Sequence, residues 1–539
     1  MASAAVVAVV CLLPFWGLWR APGPPMEEGF MLVFPELVLH GLVANRDFLH
    51  LYGPGSLWVL AAAYKVFGTL LQVERMVGFA QQLGVAFGVW ALLRRGWGPW
   101  IAAAGGGMAA VIVVPPIGLT ALAWVGGVAF GLWALHAALG PNRRLLVAGL
   151  LAGAALLYRP DLVVAVGLSL GMVALGLRDR SERIRLGGGV AIGLAPYLVH
   201  LAIAGPGNVF EGLFVQPVFD LRGGRRLPLP PSWHEFDGFL QRAGRLAEPP
   251  WPFPAPPSPA QLTLWLLLIV AAVAVLVVAG VRAFRRPEGD RRLLAMALFA
   301  AGLLPQALQR ADSTHLAWVS CVPFGFLPAA VAELLRGVDA SRARLRVAAA
   351  VLAPLVLTFA LVPHFTWRTY ADDVAQSVGR HRSSHVMRHG RRIFYYGRPD
   401  AVVAVRDLLA EIDRVKQPGQ RLFVGTGDLR KTPYSEAFLY YLEPDLRPGT
   451  RYIEMDPGVA NAPDSGLAQD LASSDVVVLS SIRDDWVEPN SSRDFGPDEP
   501  NQVLHRDFCL VGSYGKGLFG RGLYELWTRC APRPPVGSG

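Results

Sequence analysis

The chain has 539 residues, of which 53% are hydrophobic and only 17% are charged. Soluble domains average about 25% charged residues, so the composition excludes an ordinary soluble protein. The net charge of +9 does not indicate nucleic-acid binding, because the arginines cluster between long apolar runs, as in the cytoplasmic loops of membrane proteins. The charged residues become evenly spread after residue 363, which predicts a domain boundary there.

Residues 1–363 predict a polytopic α-helical membrane domain. A bilayer core needs about 20 apolar residues per helix, and the qualifying runs give about 11–13 transmembrane helices. The first run lacks a basic leader and a clear cleavage site, which favours an uncleaved anchor. The runs begin at Ser3, Ser56, Met76, Trp97, Leu119, Leu145, Leu162, Leu186, Leu262, Leu293, Leu316 and Val347.

The arginine clusters also predict the sidedness of the chain. With these clusters in the cytoplasm, the Pro-rich loop 205–261 and the chain after residue 363 lie on the external face. The first loop, residues 20–55, lies on that face only if the total number of transmembrane helices is odd. The helix count therefore decides whether the first loop and the later external segments share one side of the membrane.

Polar groups interrupt the apolar sequence at four places near predicted helix ends. Charges inside a membrane are costly and often functional. Each group also has a structural explanation, because acids in a first helical turn favour the helix dipole and the others suit solvated turns or interfacial ion pairs. On one common face, the carboxylates would offer a base and the arginines would offer charge for an anionic leaving group. The groups are Glu27 with Glu28; Arg46, Asp47, His50 and Tyr52; Tyr158, Arg159 and Asp161; and Arg310, Asp312 and His315.

Residues 364–539 predict a small α/β soluble domain, because strand and helix patterns alternate. Gly425-Thr426-Gly427 follows a strand but lacks the third glycine of a dinucleotide loop, so no nucleotide cofactor is predicted. Cys509 and Cys530 either pair, if the domain faces an oxidising compartment, or remain separate thiols. The predicted helices are 401–415, 434–442 and 465–472, and the predicted strands are 421–426, 452–455, 475–480, 508–513 and 523–528.

The order of these groups resembles that in bacterial membrane glycosyltransferases of the GT-C class, in the protein-mannosyltransferase and lipid A aminoarabinose transferase-like group. The resemblance covers residues 5–363, and the soluble domain is similar only in kind to the extracytoplasmic domains of such enzymes. The order of the motifs, rather than any single motif, carries the resemblance. The matching residues are the acidic pair at 27–28, Gly41, Arg46-Asp47-Phe48, Tyr52-Gly53-Pro54-Gly55, Phe67-Gly68, Arg75, Gly153, Tyr158-Arg159-Pro160-Asp161, Arg226-Leu227-Pro228-Leu229-Pro230, Arg310, Asp312 and His315-Leu316.

The resemblance implies that a sugar is transferred from a polyprenyl-phosphate donor on the external face of the inner (plasma) membrane, with inversion. It places Glu27 at the position of the first-loop general base, which is usually an aspartate, with Glu28 beside it as the alternative base. Asp47 joins the predicted catalytic group. Arg159 and Arg310 are expected to hold the donor phosphate, because a guanidinium matches phosphate oxygens bidentately.

The remaining polar residues of the matching motifs are expected to bind substrate. The turn at residues 115–119 lacks an acid that related enzymes often carry, so no resident cofactor is predicted and a divalent metal is kept as an alternative. The acceptor is an unidentified glycan, lipid or protein. The expected substrate-binding residues besides Arg159 and Arg310 are Arg46, Tyr52, Asp161, Arg226, Asp312 and His315.

Two other functions fit a membrane protein of this composition. A transporter or flippase of lipid-linked sugars would carry charges near the middle of its helices and often internal repeats. A non-catalytic envelope-assembly protein would use the soluble domain to bind a partner. The enzyme hypothesis requires residues 27–52, Arg159 and Arg310 to converge on one cavity at the external face. Incubation of the purified protein with labelled polyprenyl-phosphate sugars separates the three functions by sugar transfer, transport without chemistry, or inert binding.

Overall fold

The computed structural model describes residues 1–530 except 115–117, 141–142, 230–258, 288, 338–342, 363, 433, 485–487 and 518–520. Most of the Pro-rich loop 205–261 lies outside the described residues. The described part of this loop is helical, with helices Pro206–Phe210 and Leu221–Arg225 on either side of a π-helical segment, Glu211–Asp220. The first part of this loop is therefore helical rather than extended.

The membrane domain consists of apolar helices, as predicted. Among the described residues, seven helices are long and apolar enough to cross a membrane, and five more are shorter. The long ones are Ala2–Trp19, Leu71–Trp97, Arg180–Ala204, Pro259–Phe284, Arg292–Gln309, Ser313–Leu334 and Ala343–Leu361, and the shorter ones are Gly55–Phe67, Pro99–Val113, Ala123–Ala138, Leu145–Tyr158 and Pro160–Ala174. The predicted multi-pass helical architecture is confirmed.

The short helix Gly55–Phe67 starts and ends against the soluble domain. Just before it, the N–H of Leu49 donates to the carbonyl of Arg451 at 2.9 Å. Just after it, the N–H of Leu71 donates to the hydroxyl of Tyr441 at 3.2 Å. Both flanks of this helix therefore lie against the soluble domain, on the same side of the molecule as Gly23 and Pro25 of the first loop, which also contact that domain.

Close helix packing fixes the position of the Tyr158–Arg159 corner. A Cβ atom on Gly149 would lie 2.2 Å from the carbonyl oxygen of Leu186, and one on Gly153 would lie 2.6 Å from the Cα of Gly193. Small residues four apart allow helix backbones to approach in this way. The helix Leu145–Tyr158 thus packs tightly on Arg180–Leu194 and carries Arg159 at its end.

The soluble domain contains a two-stranded hairpin and a five-stranded mixed sheet. In the large sheet, Arg421–Thr426 (β3) pairs in parallel with Arg447–Pro448 (β4) on one side and with Val476–Ser480 (β5) on the other. Tyr524–Arg529 (β7) is antiparallel to both of its neighbours, β5 and Phe508–Tyr514 (β6). The order in the large sheet is β4-β3-β5-β7-β6. The strands are β1 (His385–His389), β2 (Arg392–Tyr396), β3 (Arg421–Thr426), β4 (Arg447–Pro448), β5 (Val476–Ser480), β6 (Phe508–Tyr514) and β7 (Tyr524–Arg529), and the helices are His364–Ser377, Pro399–Val415, Phe438–Leu442, Leu467–Ala472 and Glu499–Asp507.

The structure corrects two features of the predicted soluble domain. Residues 452–455 do not form a strand, because Met455 has φ of 44°, a left-handed conformation that ends strand pairing. Their apolar side chains are nevertheless buried, which produced the strand-like pattern. The β1–β2 hairpin was not predicted, since its arginines hid the alternation. Cys509 and Cys530 form a disulfide, which decides between the two alternatives left by the sequence.

The soluble domain packs directly onto the first loop of the membrane domain. The N–H of Gly23 donates to the carbonyl of Tyr395 at 3.0 Å, and the N–H of Phe438 donates to the carbonyl of Pro25 at 3.3 Å. Arg392 also forms an ion pair with Glu36 at 2.6 Å. The first loop contains the helix Glu27–Leu39, and these contacts hold that helix against the soluble domain.

Candidate active site

A cavity of about 720 Å³ lies where the membrane domain meets the soluble domain. Its apolar wall includes the rings of Trp124 and Trp318, which stack with centroids 5.9 Å apart. Seven of the eleven predicted site residues line the cavity, and the soluble domain adds further polar side chains. The predicted residues in the lining are Glu27, Tyr52, Arg159, Asp161, Arg226, Arg310 and His315, and the soluble domain supplies Tyr434, Glu454, Asp456, Glu488 and Ser492.

Glu27 faces the cavity from the first turn of the helix Glu27–Leu39. Its side chain is half-buried, and its Oε2 accepts a hydrogen bond from the hydroxyl of Tyr434 at 3.0 Å. The pKa of Glu27 is raised to about 7, mainly by burial and to a smaller extent by the nearby Glu454, against the opposing effects of its own backbone N–H, Tyr434 and Arg483. A carboxylate with this pKa at a cavity wall is suited to accept a proton near neutral pH.

Glu28 points in another direction and is fully engaged in a structural contact. Its two oxygens accept from Nε and Nη2 of Arg75 at 2.7 and 2.8 Å. The side chains of Glu28 and Arg75 are 1% and 3% exposed, respectively. Arg75 donates its remaining hydrogens to backbone carbonyls of residues 18, 19 and 21. The structure therefore separates the acidic pair into one residue at the cavity and one residue in a buried ion pair.

Arg159 lies at the cavity with its guanidinium held in place on two sides. Its Nε and Nη2 donate to Asp161 at 2.8 and 2.6 Å, and its guanidinium carbon stands 4.6 Å from the centroid of the Tyr52 ring. Gln306 accepts a longer hydrogen bond of 3.4 Å. The Arg159–Asp161 pair and Tyr52 thus form one cluster, although Tyr52 was predicted in a separate polar group.

Arg310 connects the membrane domain to the soluble domain. It donates to Asp312 Oδ2 at 2.7 Å and to Glu488 Oε2 at 2.9 Å. Asp312 also caps the helix Ser313–Leu334, because its Oδ1 accepts from the N–H of His315 at 2.8 Å. Burial alone would raise the pKa of Asp312, but His315 and Arg310 hold it at about 2. Asp312 lies behind the lining and fixes the two residues that reach the cavity, Arg310 and His315.

A second arginine cluster at the cavity was only partly predicted. Arg225 donates to Glu454 at 2.6 Å and also pairs with Asp456. Both carboxylates are 2% exposed, and each keeps one buried oxygen without a hydrogen-bond partner in the described part of the chain. An unsatisfied buried acceptor costs about 1–3 kcal/mol, so these two oxygens are suited to accept hydrogen bonds from a molecule in the cavity.

The sequence contained one signal for this second cluster. Glu454 and Asp456 are two residues apart, and acids at that spacing lie on one side of an extended segment. Arg225 adjoins the predicted Arg226 in a cluster of arginines. Arg222 and Arg226 line the cavity and are exposed, and within the described residues neither forms an ion pair.

Arg46 and Asp47 do not reach the cavity. They pair with each other at 2.8 Å, with side chains 46% and 25% exposed. Asp47 also accepts from the N–H of Val43 at 2.7 Å, and Arg46 donates to the carbonyl of Ile203 at 3.0 Å. These contacts fit the solvated turn that was the structural alternative for this group, and neither residue is included in the proposed site.

A group with metal-like spacing lies elsewhere, in the soluble domain. His389, Asp413 and Glu443 bring one potential ligand atom each within 4.8 Å of the others. The ammonium of Lys416 lies 2.7 Å from Asp413 and 2.8 Å from Glu443, and His389 Nδ1 is bonded to the carbonyl of Leu442 at 2.7 Å. We interpret this group as an ion-pair network, because the lysine already occupies the place of a cation.

Known structures resemble this chain over nearly its whole length. The crystal structure of ArnT from Cupriavidus metallidurans bound to undecaprenyl phosphate matches with 15% identity, a TM-score of 0.51 and coverage of 98% of each chain. Its apo form matches with the same identity and coverage and a TM-score of 0.52. The chain has the fold of ArnT. This likeness confirms the predicted GT-C-type architecture, including the soluble domain after the helices.

Other comparisons add little to this result. An Archaeoglobus fulgidus oligosaccharyltransferase in the apo form shares 11% identity and covers 99% of this chain and 75% of its own, but its TM-score is 0.48, which is too low to support a conclusion. No protein-family model matches the sequence, and no curated protein matches it either. At these identities the similarity establishes the fold, and the chemistry must come from the cavity itself.

Proposed function

We propose that the protein is a membrane glycosyltransferase that moves a sugar from a polyprenyl-phosphate donor to an acceptor hydroxyl. The observation that carries this proposal is the convergence of Glu27, Arg159 and Arg310 on one cavity. These residues are far apart in sequence, and they combine a base near neutral pKa with positive charge for a phosphate. The ArnT-like fold supports the same assignment, since ArnT was crystallised with undecaprenyl phosphate.

The donor binds with its phosphate at the arginines and its polyprenyl tail towards the lipid bilayer. The π-helical segment Glu211–Asp220 lines the cavity with Leu213, Pro217 and Val218, while Phe214 and Phe219 are 51% and 70% exposed. This segment presents apolar side chains to the polyprenyl tail. Arg222 and Arg226 follow directly, and their guanidinium groups are placed to receive the phosphate.

The transfer is a single displacement at the anomeric carbon. Glu27 accepts the proton of the acceptor hydroxyl, the acceptor oxygen forms a bond to the anomeric carbon, and the bond from that carbon to the phosphate oxygen breaks. The electron pair leaves with the phosphate, which Arg159 and the nearby arginines stabilise. Attack opposite the leaving phosphate inverts the configuration. Glu454 and Asp456 accept hydrogen bonds from the sugar hydroxyls.

We place the reaction on the external face of the inner membrane. The arginine-rich connections favour the cytoplasm. We count Gly55–Phe67 as a non-crossing helix, because both of its flanks contact the soluble domain. Eleven of the twelve apolar helices in the described residues then remain as crossings, and this odd number puts the soluble domain on the same side as residues 20–55. The Cys509–Cys530 disulfide supports an oxidising compartment for the soluble domain. The cavity then opens where a lipid-linked sugar and an envelope acceptor meet.

The test uses purified protein in detergent with polyprenyl-phosphate sugars labelled in the sugar. We expect release of polyprenyl phosphate and transfer of the label to an envelope acceptor fraction, with a product of inverted anomeric configuration by NMR. Glu27→Gln serves as the inactive control. Movement of the labelled lipid across vesicle membranes without cleavage would instead support a flippase. Binding without either outcome would support an assembly role.

A further inference from the structure

The hydroxyl of Tyr434 makes two contacts with the first turn of the helix that carries Glu27. It donates to Glu27 Oε2 at 3.0 Å and accepts from the N–H of Met26 at 2.7 Å. Because the second contact uses an oxygen lone pair, the hydroxyl hydrogen is directed to the carboxylate. Tyr434 is 3% exposed, so bulk water does not compete for this hydrogen bond. Glu27 itself lines the cavity, so Tyr434 holds a carboxylate that faces the cavity.

Arg483 supports Tyr434 from the opposite side. Its guanidinium carbon stands 3.8 Å from the centroid of the Tyr434 ring, a cation–π distance. Arg483 also forms a buried ion pair with Glu436. Glu436 in turn accepts hydrogen bonds from the hydroxyls of Tyr524 at 3.2 Å and Tyr396 at 3.4 Å. A chain of fixed contacts therefore runs from the core of the soluble domain to Glu27.

We propose that Tyr434 and Arg483 are positioning residues through which the soluble domain orients the base Glu27 and keeps it ionised. This inference rests on the proposed function, because it assumes that Glu27 is the base. The two residues act through the carboxylate, since Tyr434 holds Oε2 and Arg483 holds the ring of Tyr434. The membrane domain thus supplies the base, and the soluble domain sets its geometry and its charge state.

Besides burial and the backbone N–H of Glu27 itself, four side chains facing Glu27 affect its charge state. Glu454 disfavours the carboxylate form by repulsion, and Asp456 adds to this repulsion when ionised. Tyr434 and Arg483 favour the carboxylate form, the first by its hydrogen bond and the second by its charge. Because burial already raises the pKa of Glu27 to about 7, loss of either favourable contact raises it further and leaves more of the base protonated at neutral pH.

The decisive variant is Tyr434→Phe in the full-length protein, which removes one oxygen and keeps the ring. Hydrogen bonds to ionised groups are the strong ones, and we expect the acid limb of the kcat profile to move up by about one pH unit. At pH 7 the ionised fraction of Glu27 then falls from about half to about a tenth, so the transfer rate falls about fivefold. Above pH 9 the rate returns to the level of the parent protein. Recovery at high pH is a result that simple loss of structure does not produce.

The matched control is Tyr440→Phe. Tyr440 is also buried in the soluble domain, and its hydroxyl hydrogen-bonds the N–H of Val424 at 2.9 Å, away from the cavity lining. We expect this variant to keep the acid limb of the parent protein. Arg483→Lys keeps the positive charge but loses the planar guanidinium that stacks on the ring of Tyr434. We therefore expect the acid limb of its kcat profile to move up by less than that of Tyr434→Phe.

An unchanged acid limb in Tyr434→Phe, with Glu27→Gln inactive, would overturn this inference and leave the proposed function standing. An equal shift in Tyr440→Phe would also overturn it, because the effect would then not depend on contact with Glu27. If Glu27→Gln keeps full activity, the assignment of the base fails first. Thermal unfolding of each variant in the same detergent shows whether a loss of activity at all pH values reflects loss of folding.

Discussion

The adjacent residues Glu27 and Glu28 should separate catalysis from stability. Each is changed to glutamine, which keeps the size of the side chain and removes the charge. Glu27 faces the cavity and Glu28 faces Arg75, although only one peptide bond separates them. We expect Glu27→Gln to lose transfer activity and keep its stability, and Glu28→Gln to lose stability first.

The magnitudes follow from the contacts of each residue. A positioned base contributes roughly 10²–10⁴-fold to the rate, so kcat of Glu27→Gln should fall by that factor, while the amide oxygen still accepts from Tyr434. Breaking a buried ion pair by removing one partner costs about 3–5 kcal/mol. Arg75 keeps its backbone carbonyl acceptors, so we expect the lower value, about 3 kcal/mol, for Glu28→Gln.

Two measurements on the same samples decide the matter. Transfer at 25 °C, with saturating donor, reports kcat, and the temperature of half-maximal unfolding by intrinsic tryptophan fluorescence reports stability. If Glu28→Gln keeps the parent unfolding temperature but is inactive, the two glutamates have been assigned the wrong way round. If Glu27→Gln transfers sugar at the parent rate, the cavity is not the site of base catalysis.

Arg159→Lys keeps a positive charge but loses the bidentate contact with Asp161, so we expect the donor KM to rise about tenfold with a small change in kcat; an unchanged KM in steady-state assays would contradict a phosphate role. Burial raises the pKa of Glu27 to about 7, and the base works when ionised, so kcat should rise as the pH increases through about 7 and fall with unit slope below it; a flat profile from pH 5.5 to 9 would contradict this assignment. The Cys509–Cys530 bond joins residues 21 apart, and its reduction should cost the soluble domain about 3 kcal/mol; equal half-lives at raised temperature with and without reductant would refute that estimate.

The sequence predicted the fold well where local pattern dominates. The strand Arg421–Thr426 was predicted with its observed bounds, and the helix Pro399–Val415 to within two residues, because burial and amphipathic spacing agree there. The strand predicted at residues 452–455 was wrong because a buried irregular segment shows the same apolar pattern as a strand. The helix Gly55–Phe67 was predicted as a spanning run, since hydropathy does not record that both of its ends contact the soluble domain.

The individual contacts of the site were predictable only where the two partners are neighbours in the chain. Arg159 with Asp161, and Arg310 with His315, are close in sequence and were found together. Arg225 and its partners in the soluble domain are more than 200 residues apart, and no local pattern connects them. The direction of Glu28 was equally hidden, because its partner Arg75 lies 47 residues away.

The hydrogen bond between Tyr434 and Glu27 has a consequence for biosynthesis. The two residues are 407 positions apart, and ribosomes add about 5–20 residues per second. The first loop therefore waits about 20–80 s after its own synthesis before the residue that orients its glutamate has been made. During that interval all the apolar helices after the first one are translated, but the soluble-domain side of the cavity is still missing. Under the proposed function, a chain that ends before Tyr434 should therefore be inactive in sugar transfer.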